Sequence, residues 1–349
     1  MNGNPYTLSF GYPPPEIIER SSQSERIIDD FCRENPSNYI NLVTGIRGSG
    51  KTVFITQIAE GLHKKKDWIV VNLNSQRNLL VALAARLYDD KALHTWFVNS
   101  KLNLTAFGIG VEIKNTAPIA DIEEAIRRML QGIKKNKKKL LITIDEVTNT
   151  KEMRVFASAY QIYLREGLPV FLIMTGLFKD INRLRNAPGM TFLERAPRTV
   201  LKPLDLDAIA ENYTENISLK KSDANRYAIM TRGYSFAFQV IGYFLYENKK
   251  NRDKAMREAR DYLFEFAYEK IWSELSARDR EVLSAMAHAK SGEVIEIRKL
   301  LNCSTDQFNP YRDRLIKAGV AVSPQNGLLQ FSLPFYEEFT VKKERYVIE

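Results

Sequence analysis

The chain has 349 residues, 44% of them hydrophobic and 27% charged, which suits two or three globular domains with ordinary apolar cores. No apolar run reaches the ~20 residues that span a bilayer, and Met1–Phe10 lacks the basic start and apolar centre of a signal peptide, so a cytoplasmic protein is expected. Two distant cysteines, Cys32 and Cys303, and three scattered histidines, His63, His94 and His288, argue against a disulfide framework or a zinc cluster.

In chain order, Tyr39–Thr44 reads as a strand, and a helix from Lys51 to His63 follows a glycine-rich turn. The turn and helix start spell Gly45-Ile46-Arg47-Gly48-Ser49-Gly50-Lys51-Thr52, which fits G-x-x-x-x-G-K-[ST] in the strand–loop–helix setting that gives this motif its meaning. Glycines 45, 48 and 50 let the backbone curl so that N–H groups face phosphate oxygens, and the helix adds its positive N-terminal end. Lys51 is expected at the β- and γ-phosphates, with the Thr52 hydroxyl on Mg²⁺. Gly45, Arg47, Gly48, Ser49, Gly50, Lys51, Thr52 and Val53 are thus the candidate nucleotide-binding residues, and ATP or ADP with Mg²⁺ the expected ligands.

Trp68–Leu73 is a second predicted strand and Leu79–Tyr88 a helix. Lys101–Glu112 breaks the helical pattern, and its apolar alternation around Thr105–Gly108 predicts an inserted β-hairpin. Leu140–Asp145 is a third, almost wholly apolar strand that ends in Asp145-Glu146. A buried strand can present acids only at its tip, where parallel sheets bind ligands. Asp145 is expected to hold Mg²⁺ directly or through water, and Glu146 to polarise the attacking water.

Met153–Arg165 is helical, and Val170–Thr175 a fourth strand tipped by Thr175. Placed between the strands that lead to Lys51 and Asp145, Thr175 would position the attacking water; the plainer alternative is a helix N-cap. Arg195 and Arg198 precede a short fifth strand, Thr199–Leu201. Either guanidinium could stabilise a γ-phosphate across a subunit interface, or both could form intrachain salt bridges. Continuous apolar strands spaced by helices predict a three-layer α/β fold around a parallel sheet.

Beyond Pro203 the strand signal stops. Helices are predicted from Asp205–Asp207 onward, at Ser222–Thr231, Ser235–Asn248 and Lys254–Trp272, as a helical lid. Ala277–Ala289, Val294–Leu301 and Thr305–Ala318 are three further helices. The short strands Val320–Ser323 and Leu328–Ser332 follow, joined through Asn326-Gly327, and together these predict a winged helix-turn-helix. The expected domains are a core over 1–203, a lid over 204–272 and a winged helix over 273–349.

The net charge of +9 is unevenly placed. Residues 41–139 carry 17 basic against 8 acidic side chains, whereas 273–349 balance at 11 each. The runs Lys64–Lys66 and Lys134–Lys139 fall at predicted helix C-termini, where lysines complement the helix dipole; a nucleic-acid surface is the other reading. On the predicted recognition helix Phe308, Tyr311, Leu315 and Ala318 share a buried face, which would display Arg312 and Arg314 outward beside Gln307, Asn309 and Lys317. Balanced charge in that segment weighs against DNA, because phosphate neutralisation supplies much of DNA affinity.

With P-loop, Asp-Glu strand, polar-tipped strand, lid and winged helix in that order, the chain resembles the AAA+/STAND group of P-loop ATPases, and within it archaeal-type ATPases related to replication initiators. GIRGSGKT (Gly45–Thr52), LLITIDEV (Leu140–Val147), VFLIMTGL (Val170–Leu177) and FLERAPRTVLKPLD (Phe192–Asp205) carry the likeness, with the terminal YRDRLIKAGVAVSPQNGLLQFSLP. The resemblance implies hydrolysis of ATP to ADP and phosphate, with Lys51 and Thr52 on phosphate and Mg²⁺, Asp145 and Glu146 serving hydrolysis, and Thr175 on the sensor strand. Phe10–Pro15 resembles the stretch that flanks the base in such proteins. Arg232–Phe238 resembles the Gly-x-Pro region of STAND proteins, but Ser235 stands where proline is usual, and no arginine follows in that helix as a second sensor. The expected function is an ATP-dependent switch acting on double-stranded DNA through the winged helix. The alternative is a STAND-type signalling ATPase whose winged helix binds a protein. A homo-oligomer is expected if an arginine acts in trans.

Overall fold

The computed structural model describes residues 3–9, 14–90, 93, 96–97, 103–110 and 118–345. The chain forms two compact units, one of residues 21–44 and 51–200, the other of the N-terminal residues to Arg20, Gly45–Gly50 and everything from Leu201 on.

The first unit is built on five parallel strands, β1 (Ile40–Thr44), β2 (Trp68–Asn74), β3 (Lys139–Asp145), β4 (Val170–Gly176) and β5 (Arg198–Val200), in the spatial order β2-β3-β4-β1-β5. β1 and β4 are buried along their whole length, and β3 is buried from Leu140 to Ile144. A strand buried on both faces needs cover on both, and parallel neighbours need crossovers; helices supply both requirements. Lys51–His63 packs on β2, β3 and β4, Leu79–Asp89 on β2, Ile122–Lys135 on β3 and Phe178–Arg185 on β1 and β4. The result is the expected three-layer α/β P-loop fold. As the sequence argument required, β4 lies between β1 and β3, with Val43 in register with Thr175 and Ile144 with Met174.

The lysine runs sit at the end of the sheet opposite the Asp145 tip. Lys139 opens β3 and donates to the carbonyls of Phe31 and Arg33 at 3.2 and 3.4 Å, closing the end of helix Ser21–Cys32. Its ammonium also lies 5.4 Å from the Trp68 ring centre. Lys134 and Lys135 occupy the last turn of Ile122–Lys135, as the helix-dipole reading expects.

The Lys101–Glu112 hairpin is corrected where the structure describes it. Residues 103–110 hold a single 3₁₀ turn at Thr105–Phe107, not strands. The Asn103 carboxamide accepts from the Thr105 N–H and hydroxyl at 3.2 and 2.7 Å, and this local bonding competes with a ladder. The outer ends of the expected hairpin, residues 101–102 and 111–112, like most of Phe10–Pro15, lie outside the described residues.

The second unit is helical. Leu206–Ile217 starts at an Asp205 cap, and Lys221–Thr231, Ser235–Glu247 and Arg252–Leu263 follow, the last continuing through a π turn at Phe264–Tyr268 into Glu269–Ser273. Ala277–His288, Val294–Leu300 and Thr305–Ala318 then lead to the antiparallel pair β6 (Ala321–Val322) and β7 (Gln330–Phe331). These are the three helices and wing expected from the sequence. A last helix, Tyr336–Arg345, was not expected; it returns Tyr336 and Phe339 to the same apolar core. Among the described residues no helix is long and apolar enough to cross a membrane.

Candidate nucleotide site

The acidic strand tip is assembled within the sheet unit. Thr52 is the second residue of Lys51–His63, and its hydroxyl donates to the Asp145 carboxylate at 2.5 Å. Thr175, fully buried at the tip of β4, donates its hydroxyl to the other oxygen of the same carboxylate. The Glu146 N–H then donates to Asp145 Oδ1 at 2.9 Å and to Thr175 Oγ1 at 3.3 Å. Four of the expected residues, Thr52, Asp145, Glu146 and Thr175, therefore form one hydrogen-bonded group. Thr175 does not cap a helix: the next one, Phe178–Arg185, is preceded by Leu177 at its cap.

Glu146 has a left-handed backbone, φ +52, although it is not glycine. This twist ends β3 abruptly: the Ser75 hydroxyl reaches the Glu146 carbonyl at 3.4 Å, while Val147 N–H returns to the Thr175 carbonyl at 2.8 Å. A left-handed non-glycine residue costs about 1–2 kcal/mol and persists only where its surroundings hold it, as they do at many functional sites. Glu146 itself is exposed.

Magnesium fits this donor set. The Thr52 hydroxyl and Asp145 carboxylate converge at 2.5 Å, and both are hard oxygen donors of the kind that ion takes beside substrate phosphates. The helix behind them has no acidic residue in its first turn, so its positive end is not neutralised locally.

The loop Gly45–Gly50 belongs to the other unit. Gly48 and Gly50 have φ of +71 and +84, which glycine takes without penalty. A Cβ on Gly45 would stand 2.4 Å from Ser49 Oγ, and one on Gly48 2.4 Å from the Tyr234 hydroxyl, so these two glycines are fixed by close approach. Ser49 Oγ is buried with no hydrogen-bond partner. A buried orphan hydroxyl inside this glycine-rich loop is the kind of group that a phosphate oxygen would satisfy. Arg47 turns away to pair with Glu274 at 2.8 Å.

Arg195 and Arg198 stay apart from the strand-tip group. Arg195 is exposed after the short helix Thr191–Glu194. Arg198 opens β5 in register with Leu42, two residues short of the tip, and its guanidinium lies 5.5 Å over the Phe178 ring. Among the described residues neither enters an ion pair, so the intrachain salt-bridge reading is not met.

Residues 26–166 match the family described as an ATPase domain predominantly from Archaea. That match likens this segment of the chain to an archaeal-type ATPase domain. A second match, over residues 265–340, is to a domain of unknown function, and no curated protein matches. Among solved structures, the Walker-type ATPase of Pyrococcus abyssi superposes with a TM-score of 0.62 at 14% identity, over 93% of this chain and 96% of its own. The Aeropyrum pernix ORC2 protein, in its ADPNP–ADP complexes, superposes with a TM-score of 0.57 at 13% identity, over 97% of each chain. At such identities the likeness bears on fold. The ATPase domain implies nucleotide binding, and it places the P-loop and β3 within the matched segment.

Sequence reasoning missed Tyr234 and Arg20 as neighbours of the loop. Arg20 donates from Nε to the Lys202 carbonyl at 2.7 Å and from Nη2 to Ser235 Oγ at 3.0 Å. Burial brings its guanidinium down to about 10, which leaves it charged at neutral pH. No local pattern announces such long-range partners.

The winged helix also corrects an expectation. Arg314 is exposed, as expected, but it is also tied within the chain: it pairs with the buried Asp279 at 2.6 Å and donates to Ser276 Oγ at 3.1 Å. Arg312 bonds Ser323 at 3.1 Å and Asp313 at 3.2 Å, and Gln307 caps its own helix through the Ser304 N–H. The periodicity argument located the buried face but could not see that Asp279 comes within reach of Arg314.

Proposed function

We propose that the protein is a nucleotide-driven switch that binds Mg-ATP at Gly45–Thr52 and hydrolyses it at the tip of β3. The observation that carries this reading is the Thr52–Asp145–Thr175–Glu146 group at the strand tips. Gly45, Arg47, Gly48, Ser49, Gly50 and Val53 line the loop and its helix start, and Lys51 takes the β- and γ-phosphates. Thr52 and Asp145 would hold magnesium, which would supply positive charge to neutralise the phosphates. Glu146 accepts a proton from the attacking water, and Thr175 fixes the Asp145 carboxylate. Both arginines are exposed, and Arg195 is the better candidate to serve a neighbouring protomer's γ-phosphate because the Arg198 guanidinium is engaged by the Phe178 ring.

The chain would work as a core over 1–203, a lid over 204–272 and a winged helix over 273–349. For the winged helix, a protein partner is the better supported reading: the segment has balanced charge, and Arg312 and Arg314 are held by intrachain bonds. Double-stranded DNA is the second reading, kept by exposed Asn309 and Lys317 on Thr305–Ala318. Calorimetry with Mg-ATP tests the nucleotide proposal, and lack of heat, or unchanged affinity in Lys51→Ala, defeats it. Mobility shift on duplex DNA at low salt with and without ATP separates the partners; a robust shift would reverse the preference for protein.

A further inference from the structure

Three successive carbonyls of the P-loop are gripped by three successive residues at the start of helix Ser235–Glu247. The Tyr234 hydroxyl donates to the Arg47 carbonyl at 2.7 Å, the Phe236 N–H to Gly48 at 3.0 Å, and the Ser235 hydroxyl to Ser49 at 2.9 Å. Because a trans peptide is planar, its C=O and the next residue's N–H point in opposite directions. Holding those three carbonyls outward therefore aims the N–H groups of Gly48, Ser49 and Gly50 to the other side of the loop. The Ser49 N–H closes the turn on the Ile46 carbonyl at 3.2 Å, and those of Gly48 and Gly50 face away from the gripped carbonyls.

The gripping residues are themselves fixed. Arg232 and Gly233 have left-handed backbones with φ of +51 and +68, and a Cβ on Gly233 would stand 2.6 Å from the Leu204 carbonyl. The buried Thr231 hydroxyl accepts the Gly233 N–H at 3.0 Å. Arg20 donates to Ser235 Oγ, which leaves that hydroxyl's own hydrogen for the Ser49 carbonyl. Tyr234 is buried, and burial raises its phenol far above the ordinary value, so it stays a donor.

We propose that Tyr234 and Ser235 are positioning residues for nucleotide binding: they set the peptide planes of the P-loop, and through them its affinity for the triphosphate. The inference rests on the nucleotide reading above. Each neutral hydrogen bond lost, with a carbonyl left poorly paired, should weaken binding about five- to tenfold.

The test is titration calorimetry of the full chain with Mg-ATP and Mg-ADP for wild type, Tyr234→Phe, Ser235→Ala and Ser235→Thr, with melting of each protein measured without nucleotide. Tyr234→Phe and Ser235→Ala should bind five- to tenfold more weakly, Ser235→Thr near wild type, and turnover should show a raised KM at little-changed kcat. No heat from wild type would remove the nucleotide reading itself. Wild-type binding with unchanged affinity in Tyr234→Phe and Ser235→Ala overturns this inference, including where those variants melt lower, since that outcome is a purely structural role.

Discussion

Glu146 offers the sharpest separation of chemistry from folding, because two substitutions remove the same carboxylate but differ in backbone freedom. At φ +52 an alanine meets the left-handed penalty of about 1–2 kcal/mol, whereas glycine does not, though its looser unfolded chain gives back about 0.4–1 kcal/mol. Glu146→Gly should therefore be more stable than Glu146→Ala by about 0.5–1 kcal/mol. Both, like Glu146→Gln, should lose about a hundred- to ten-thousandfold in turnover, the usual contribution of a positioned general base. Affinity for Mg-ATP should stay within a few-fold, since the exposed Glu146 is not among the phosphate-binding residues. Phosphate release under saturating Mg-ATP reads the chemistry, calorimetry the affinity, and the urea midpoint the stability. A glycine variant that hydrolyses at the wild-type rate would refute the assigned role. Equal stability of the two variants would refute the argument from backbone twist.

Other outcomes follow from the same geometry. Gly48→Ala puts a methyl 2.4 Å from the Tyr234 hydroxyl and 2.9 Å from Phe236 Cβ; ATP affinity should drop at least about tenfold, as crowding and a left-handed alanine each cost 1 kcal/mol or more, and calorimetry with an unchanged Kd would contradict it. Arg314→Met takes the cation from Asp279, whose side chain is only 4% exposed and keeps only its bonds from Ser276. It should lower stability by about 1–3 kcal/mol without altering any DNA shift; a variant with normal urea midpoint and weaker DNA binding would restore Arg314 as a reader. Glu124 accepts from Arg127 at 2.6 Å and from Arg128 at 2.6 Å, bonds that hold its carboxyl down to about 2 from 4.5. Because the folded value is depressed, its stabilisation is complete above pH 4.5 and fades as pH falls towards 2. Glu124 and Arg127 are half-buried and Arg128 is exposed, so solvent screening should keep the effect below about 1 kcal/mol. Glu124→Gln should flatten stability across that window, and an unchanged acid slope would count against the assignment.

How much was legible beforehand depends on the range of the interaction. β1 through β5 were found within a residue or two, since uninterrupted apolar runs have few other uses in a chain with no membrane-length segment. The helix Thr305–Ala318 was placed correctly despite Pro310 inside it, because Ser304 and Gly319 mark its ends. The Lys101–Glu112 hairpin failed where described because alternation was read without weighing Asn103, whose side chain closes a turn on Thr105. Helix Tyr336–Arg345 was overlooked because its own pattern is mostly polar, with burial supplied by a few aromatic residues.

The sequence by itself determined the glycine-rich loop and the acidic strand tip, since both are written in neighbouring residues: glycines that free the backbone, a lysine and threonine at a helix start, and two acids where an apolar run stops. Tertiary structure alone decided that Tyr234 grips the Arg47 carbonyl across 187 positions, that Thr175 shares the Asp145 carboxylate, and that Arg314 turns to Asp279. Local spacing constrains the backbone within a few residues. Which distant side chains meet is set by packing, where volume, burial and unpaired polar groups choose the partners.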